Sequence, residues 1–454
     1  MRRARLTASV AVLAVTVILG ATVAAALPQI PVDKMEPPEN CGCHAGLLED
    51  WSRSMHSKAI TDPLFRLKLA EANEATDGTL GPVCEACHAP VAIMGGLVGV
   101  DPAKMPPQAS RGIVCAFCHQ VSGTSEPLGN VSQIVEADRV FRAQYDDAKS
   151  PYHETAYSAF HQSAEFCGSC HNVDHPGDPN LHLEATYTEW ENSPYAKEGI
   201  VCQDCHMTPG PGVTKPYPGT AAAGGPQRDH IYLMTFVGGN VGLGDSVLAE
   251  ERLKAAATLG VSAPEVVANG EKAMIEVMLT NSGAGHYLPT GLTEVRQMWL
   301  VVEAHDDAGG VEEIGRHVFG TTLQDAEGNS PVELWDATAI ATDDRIPPKE
   351  SVTDTFEVTM PEGSEVELVA TLYYRSCSEE MAEKADVEIP TTKMASVRQT
   401  IYSSAEARAK GPSGNGEPGS SVLIAITVIG LALVALGLLL ALVRGRATHG
   451  GKAS

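Results

Sequence analysis

Four strings of the form C-x-x-C-H constrain this chain more than any other feature: Cys84-Glu-Ala-Cys87-His88, Cys115-Ala-Phe-Cys118-His119, Cys167-Gly-Ser-Cys170-His171 and Cys202-Gln-Asp-Cys205-His206. At this composition chance would supply on the order of 0.01 such string, so four mark one shared chemistry. Two thiols three positions apart can reach the two vinyl groups of one haem and form thioethers. The histidine that follows then lies under the iron as proximal ligand. A fifth string, Asn40-Cys41-Gly42-Cys43-His44, has one residue between its cysteines instead of two, yet keeps the Cys-His adjacency. The cofactor expected is therefore haem c, five copies with four as the minimum. Attachment falls to Cys41, Cys43, Cys84, Cys87, Cys115, Cys118, Cys167, Cys170, Cys202 and Cys205, with Cys43 alone as the alternative at the contracted string, and the proximal ligands are His44, His88, His119, His171 and His206.

Other uses of the thiols fit less well. Disulfides would not place a histidine after each pair. Zinc would need the motifs to combine into four-ligand sites and would leave an odd one over. A thioredoxin-like C-x-x-C needs a βαβ context that is missing here. Cys377, the eleventh cysteine, lies in a β-rich stretch and reads as a buried apolar residue. Five haems over about 200 residues leave about 40 residues each, too little chain for an ordinary core. The porphyrins are expected to form the core, in keeping with an aromatic content of 5%.

Both ends carry membrane signals. Arg2, Arg3 and Arg5 precede an apolar run that closes on Ala24-Ala25-Ala26, a secretory signal peptide over 1–26, with an uncleaved anchor as the alternative. Val422–Val443 holds 22 residues without a charge, about 33 Å of helix and enough to cross a bilayer core of about 30 Å. Arg444, Arg446 and Lys452 follow, which places the tail 444–454 in the cytoplasm and the bulk of the chain outside, at the cell surface or in the periplasm. The net charge of −25 removes nucleic acid from the partners and suits a soluble exported face.

The fold class expected is multidomain. An irregular, mainly α multihaem domain with little regular secondary structure spans 27–235, and a β-sandwich domain preceded by a short helix spans 236–403. A flexible stalk over 404–421 and one transmembrane helix over 422–443 complete it. Pro209–Gln227 is a Pro/Gly connector with no element. Val247–Thr258 reads as a helix capped by Asp245 and stopped by Gly260. Lys272–Thr280, Gln297–Ala304, Val352–Met360 and Val366–Tyr374 are apolar, partly alternating and rich in β-branched residues, as sandwich strands are. A weak repeat, W-x-x-S-x-x-x-K, occurs at Trp51–Lys58 and Trp190–Lys197, and His56 of the first copy is replaced by Tyr195 in the second.

A low-spin electron carrier needs a second strong ligand on each iron. The distal candidates are His56, His153, His161, His230 in Arg228-Asp-His-Ile-Tyr, and His286 in the turn Asn281-Ser-Gly-Ala-Gly-His-Tyr-Leu-Pro-Thr-Gly. His175, His182, Met55 and Met207 are alternates, and His305 and His317 read as solvated. Ligation by His286 would dock the β part onto the haem part.

The W-x-x-S-x-H string after the first motif, FCGSCHNV, CQDCHM, RDH and NSGAGHYLPTG resemble multihaem c-type cytochromes of the tetrahaem-cytochrome and hydroxylamine-oxidoreductase superfamily, over about residues 40–292. The resemblance implies bis-histidine electron carriers with closely stacked haems, often surface proteins that respire with extracellular acceptors. The expectation is a membrane-anchored, outward-facing pentahaem cytochrome in electron transport, a carrier more than an enzyme, with no catalytic residue assigned. Its partners would be the membrane, through the C-terminal helix, and a redox protein or quinol-oxidising donor. An extracellular acceptor and a homo-oligomer are compatible with it. Two rivals stand beside this reading: a reductase or oxidase of a small nitrogen or sulfur compound with one open-faced haem, and a surface binding or filament-forming module.

Overall fold

In the computed structural model, which describes residues 27–411, the C-terminal half follows its alternating sequence. Along the strand Lys272–Asn281, Ala273, Ile275, Val277 and Leu279 point inward and are nearly inaccessible, while Lys272, Met274, Glu276 and Met278 face out. This strand lies between Ser351–Thr359 and Ala257–Ser262 in an antiparallel sheet. A second antiparallel sheet runs Val311–Phe319, Gln297–Asp306, Glu365–Arg375, Thr392–Tyr402. Its central pair sets Leu300 opposite Leu372, Val302 opposite Ala370 and Ala304 opposite Leu368. The inner faces of the two sheets share one apolar cluster. Each fully buried aliphatic side chain there contributes about 1.5–3 kcal/mol.

Sequence and structure part at two points here. The helix expected over Val247–Thr258 spans Ser246–Ala256, with Asp245 capping it by accepting from the Leu248 amide at 3.3 Å. Gly260 does not stop it. Residues Ala257–Ser262 instead extend and pair with Lys272–Asn281, setting Leu259 against Leu279 and Val261 against Val277. Val311–Phe319 and Thr392–Tyr402 are strands absent from the expected set. Both lie at sheet edges, where one half-open flank tolerates the charges that blur their alternation.

The N-terminal half is built of short helices, among them Ala45–Arg53, Pro63–Ala75 and Gly81–His88, with two-stranded pieces between them. Pro63 opens its helix at N1, and Asp62 caps it by accepting from the Leu64 amide at 3.0 Å. The expectation that porphyrins alone form the core is corrected. Met35, Trp51, Ile60, Ile93, Met94 and Phe117 belong to a protein cluster packed around the helix Pro90–Met94. Residues 209–227 hold no helix or strand beyond a bridge from Gly219 to Arg228.

The described residues through Arg408 form one compact unit. Contacts cross the expected boundary near residue 235. Leu64 packs with Cys377, Met381 and Ile389, so Cys377 is indeed enclosed, and Lys68 pairs with Glu333 at 2.9 Å. The start of the expected stalk is a short helix, Ala405–Lys410, with the Ser404 hydroxyl accepting from the Ala407 amide. Among the described residues no helix is long and apolar enough to cross a membrane. The signal peptide 1–26, the transmembrane helix 422–443, the tail 444–454 and the remainder of the stalk lie outside the described residues.

Candidate haem-binding site

The motif spacing acts through local helix geometry. Gly81–His88, Cys115–Gln120 and Cys202–His206 are helical, and in Cys167–His171 the turn continues with the His171 amide donating to the Cys167 carbonyl at 2.9 Å. Residues three apart share one helix face, so both thiols of a motif point the same way and the histidine rises beside them. The contracted motif lies in the 3₁₀ segment Pro38–His44, where Cys41 leaves helical geometry at φ −84° and ψ 22°.

All ten motif cysteines and all five motif histidines line one continuous cavity of about 2060 Å³. A pocket for a single small molecule is about 300–1,000 Å³, so this space suits several large flat groups. The eleven cysteines are free thiols. Among the described residues no three His, Cys, Asp or Glu side chains converge on a metal-ion cage.

The histidines supply a sharper test of fit. His44 faces His153, His56 faces His171, His119 faces His161 and His206 faces His286, with ring centroids 6.4, 6.3, 5.9 and 6.2 Å apart and ring planes within 29° of parallel. A transition metal between two imidazole nitrogens at about 2.0–2.1 Å holds the centroids about 6.3 Å apart. The outer nitrogens are already tied back. Nδ1 lies 2.8 Å from the Ala221 carbonyl in His44, 3.0 Å from Ala59 in His88, 2.7 Å from Arg142 in His119 and 2.9 Å from Glu184 Oε1 in His171. Such bonds fix the tautomer and aim the other nitrogen, as the surroundings of metal-bound histidines do. In His161 the aim is incomplete, because its Nε2 donates to the Cys118 carbonyl at 3.0 Å.

Burial favours the neutral form of His56, His119, His161 and His206, as ligation requires. It pushes His56 down to about 3. Burial, with the Arg252 and His286 charges, does the same to His206. Burial and His119 take His161 down to about 4. In His171 burial opposes a charge too, but the hydrogen bond and charge of Glu184 override it and lift the ring to about 9. The buried Cys84 and Cys118 thiols are pushed up to about 11 and about 12, which holds them protonated.

Two histidines stand apart. His88 has no imidazole opposite it in the described residues and stacks on Phe65 at 3.8 Å and 5°. His230, a distal candidate, faces none of the five motif histidines. Its Nδ1 accepts from the Tyr217 amide at 2.8 Å, its ring lies edge-on to Tyr232 and its buried Nε2 has no partner among the described residues, while Arg228, Ile231 and Tyr232 beside it line the cavity. The alternates are also engaged elsewhere: His175 Nδ1 accepts from the Gly177 amide and His182 binds Asp174. His317 is less solvated than expected, half-buried against Phe319 and paired with Asp354 at 2.8 Å.

Motifs distant in sequence also meet. The Cys41 thiol neighbours that of Cys115, Cys87 that of Cys170, and Cys167 that of Cys202. Numbered in chain order from Cys41-Gly42-Cys43-His44, the first motif therefore adjoins the third, and the fourth adjoins both the second and the fifth. Nothing in the sequence announces these neighbours, nor Glu184, Phe65 and Arg252, whose positions are set by chain crossing rather than by any local pattern.

Residues 40–120 match the family described as cytochrome c554 and c-prime. The fold is that of a solved pentahaem cytochrome c552 from Thermochromatium tepidum, with a TM-score of 0.61 at 20% identity over 82% of this chain and 100% of that one. These findings support a multihaem c-type cytochrome. A CARDB domain from Pyrococcus furiosus (14% identity, 32% of this chain and 90% of that one, TM-score 0.18) and a β-glucosidase from Listeria innocua (15%, 30% and 16%, TM-score 0.15) align to parts of the chain at scores too low to add to it. No curated protein sequence matches.

Proposed function

We propose that this chain is a pentahaem electron carrier of the tetrahaem-cytochrome and hydroxylamine-oxidoreductase superfamily, held outside the cytoplasm by its apolar segment 422–443. The observation that carries the reading is the set of four facing imidazole pairs around a cavity that all five motifs share. Bound haem supplies reversible one-electron storage on its iron. The chain supplies everything else. The ten motif thiols would hold the haems, His44, His88, His119, His171 and His206 would each ligate one iron, and His153, His56, His161 and His286 would supply a second ligand to four of them. Carbonyls and Glu184 hold the rings still between redox states, and the apolar lining keeps water out. The neighbouring thiols gather the sites into two groups, first with third and fourth with second and fifth, and both groups open on the one cavity through which electrons would pass.

The test is denaturing mass spectrometry of the mature protein with a redox titration followed by absorbance. Five haems and several one-electron waves are expected. Four haems would show Cys43 unused, and a colourless product from a host competent in cytochrome maturation would overturn the reading.

A second reading rests on His88. Without an imidazole opposite it, the site at Cys84, Cys87 and His88 is suited to a five-coordinate haem that binds a small nitrogen or sulfur compound. Reduced protein would then bind one carbon monoxide per chain. No binding at all would leave electron transfer as the whole function.

A further inference from the structure

The two copies of W-x-x-S-x-x-x-K perform different tasks. In the first, Trp51 Nε1 donates to the Ile113 carbonyl at 2.8 Å and His56 is carried to face His171. In the second, Trp190 Nε1 donates likewise to Ile200 at 2.8 Å, but Tyr195 occupies the place of the ligand-bearing histidine. The Tyr195 hydroxyl donates to the Ser282 carbonyl at 3.5 Å. Lys349 sits 4.5 Å over the tyrosine ring and donates to the same carbonyl at 2.6 Å. A Cβ built on Gly285 would lie 3.6 Å from the Tyr195 ring and 3.8 Å from Trp190. The second copy thus forms a floor beneath residues 282–285, one residue short of His286.

Glu189, directly before Trp190, completes the floor. It is 6% exposed, yet its carboxylate is filled by partners from the opposite side. Oε2 accepts from the Tyr287 amide at 3.1 Å and from the Thr290 hydroxyl at 2.6 Å, and Oε1 is bound by Arg345. Two bonds of 2.8 Å from Arg345 to Asp343 hold the guanidinium in place, and Thr186 meets Thr290 hydroxyl to hydroxyl at 2.8 Å. Three donors on a buried carboxylate leave the 287–290 turn one way to sit. That turn directly follows His286, whose ring faces that of His206 and whose carbonyl accepts from Asn281 Nδ2 at 2.9 Å.

We infer that Glu189 is the positioning residue for His286, and that the second copy of the repeat has exchanged a histidine of its own for a docking surface that receives one from the β part. This rests on iron ligation by His206 and His286. Disengaging the carboxylate frees the turn and withdraws the imidazole without touching either ligand.

The experiment uses the full haem-loaded chain and compares Glu189→Ala, Glu189→Gln, Thr290→Val and His286→Ala by absorbance and electron paramagnetic resonance. Glu189→Ala is expected to convert one haem in five from low to high spin, as His286→Ala does, and added imidazole is expected to restore it. Glu189→Gln and Thr290→Val, the milder variants that keep the test open should Glu189→Ala fail to fold, are expected to convert a smaller fraction of the same haem. Fully low-spin spectra in all three Glu189 and Thr290 variants, with His286→Ala high-spin, would overturn the positioning role. An unchanged His286→Ala spectrum would instead overturn the ligation beneath it. A purely structural role would lower the melting temperature but leave the spin state where it was.

Discussion

Replacing Arg252 should lower the reduction potential of one haem while leaving the other four alone. The guanidinium belongs to the helix Ser246–Ala256 and reaches into the haem cavity. It donates to the Thr235 carbonyl at 2.7 Å and to the His206 and Thr208 carbonyls at 3.3 Å, while its buried Nε has no partner. No carboxylate among the described residues forms an ion pair with it. Burial alone drives it down to about 10 from 12.5, so a charge here costs about 3 kcal/mol in the protein without haem. A cation that discourages a proton on His206 favours an electron on the iron that His206 would hold. At an effective dielectric of about 20, two unit charges about 8–10 Å apart couple by about 2 kcal/mol, the scale expected for a cation beside one haem. That is near 80 mV for one electron, at about 59 mV per tenfold. Potentiometric titration of Arg252→Met should show one of the waves move down by tens of millivolts, and Arg252→Lys should keep most of the native value. An unmoved wave in Arg252→Met, or a shift upward, would refute the electrostatic reasoning and leave Arg252 as a carbonyl clamp.

Two further outcomes concern stability. Burial pushes the Glu294 carboxyl up to about 7 from 4.5, with Arg296 opposing and Glu184 and Glu333 adding to the shift. A carboxyl with a raised folded pKa binds its proton more tightly when folded, so its contribution is present below about pH 4.5 and is lost as pH climbs through 7. Urea unfolding should therefore show stability falling by up to about 3 kcal/mol across that window, and Glu294→Gln should flatten the profile; a native profile already flat would contradict it. Leu300, fully buried opposite Leu372, should cost about 2–5 kcal/mol when cut to alanine, read as a lower thermal midpoint with the haem spectra unchanged.

Much of the cofactor chemistry was legible without coordinates, because C-x-x-C-H is a local device: two thiols and an imidazole within one helical turn. The long strands were legible for a similar reason, since Lys272–Asn281 and Glu365–Arg375 advertise a buried face by alternation. What depended on distant partners read poorly. Gly260 looked like a helix stop but pairs within a sheet, and the edge strands were hidden by their charges. Among the distal candidates, His153, His161, His56 and His286 each face a motif histidine while His230 does not, a distinction that neither spacing nor residue type could have drawn.

Residue order by itself determined the five Cys-His motifs and the expectation of covalent haem that they carry, since attachment requires only neighbours in the chain. Tertiary structure decided which imidazole stands across from which, that His88 stands without one, and that Glu189 meets the turn after His286. Those relations join residues up to 115 or so positions apart, His56 to His171 among them. Such distances are closed only when the two sheets and the short helices pack, because the free energy that brings the pairs together comes from the burial of side chains elsewhere in the fold.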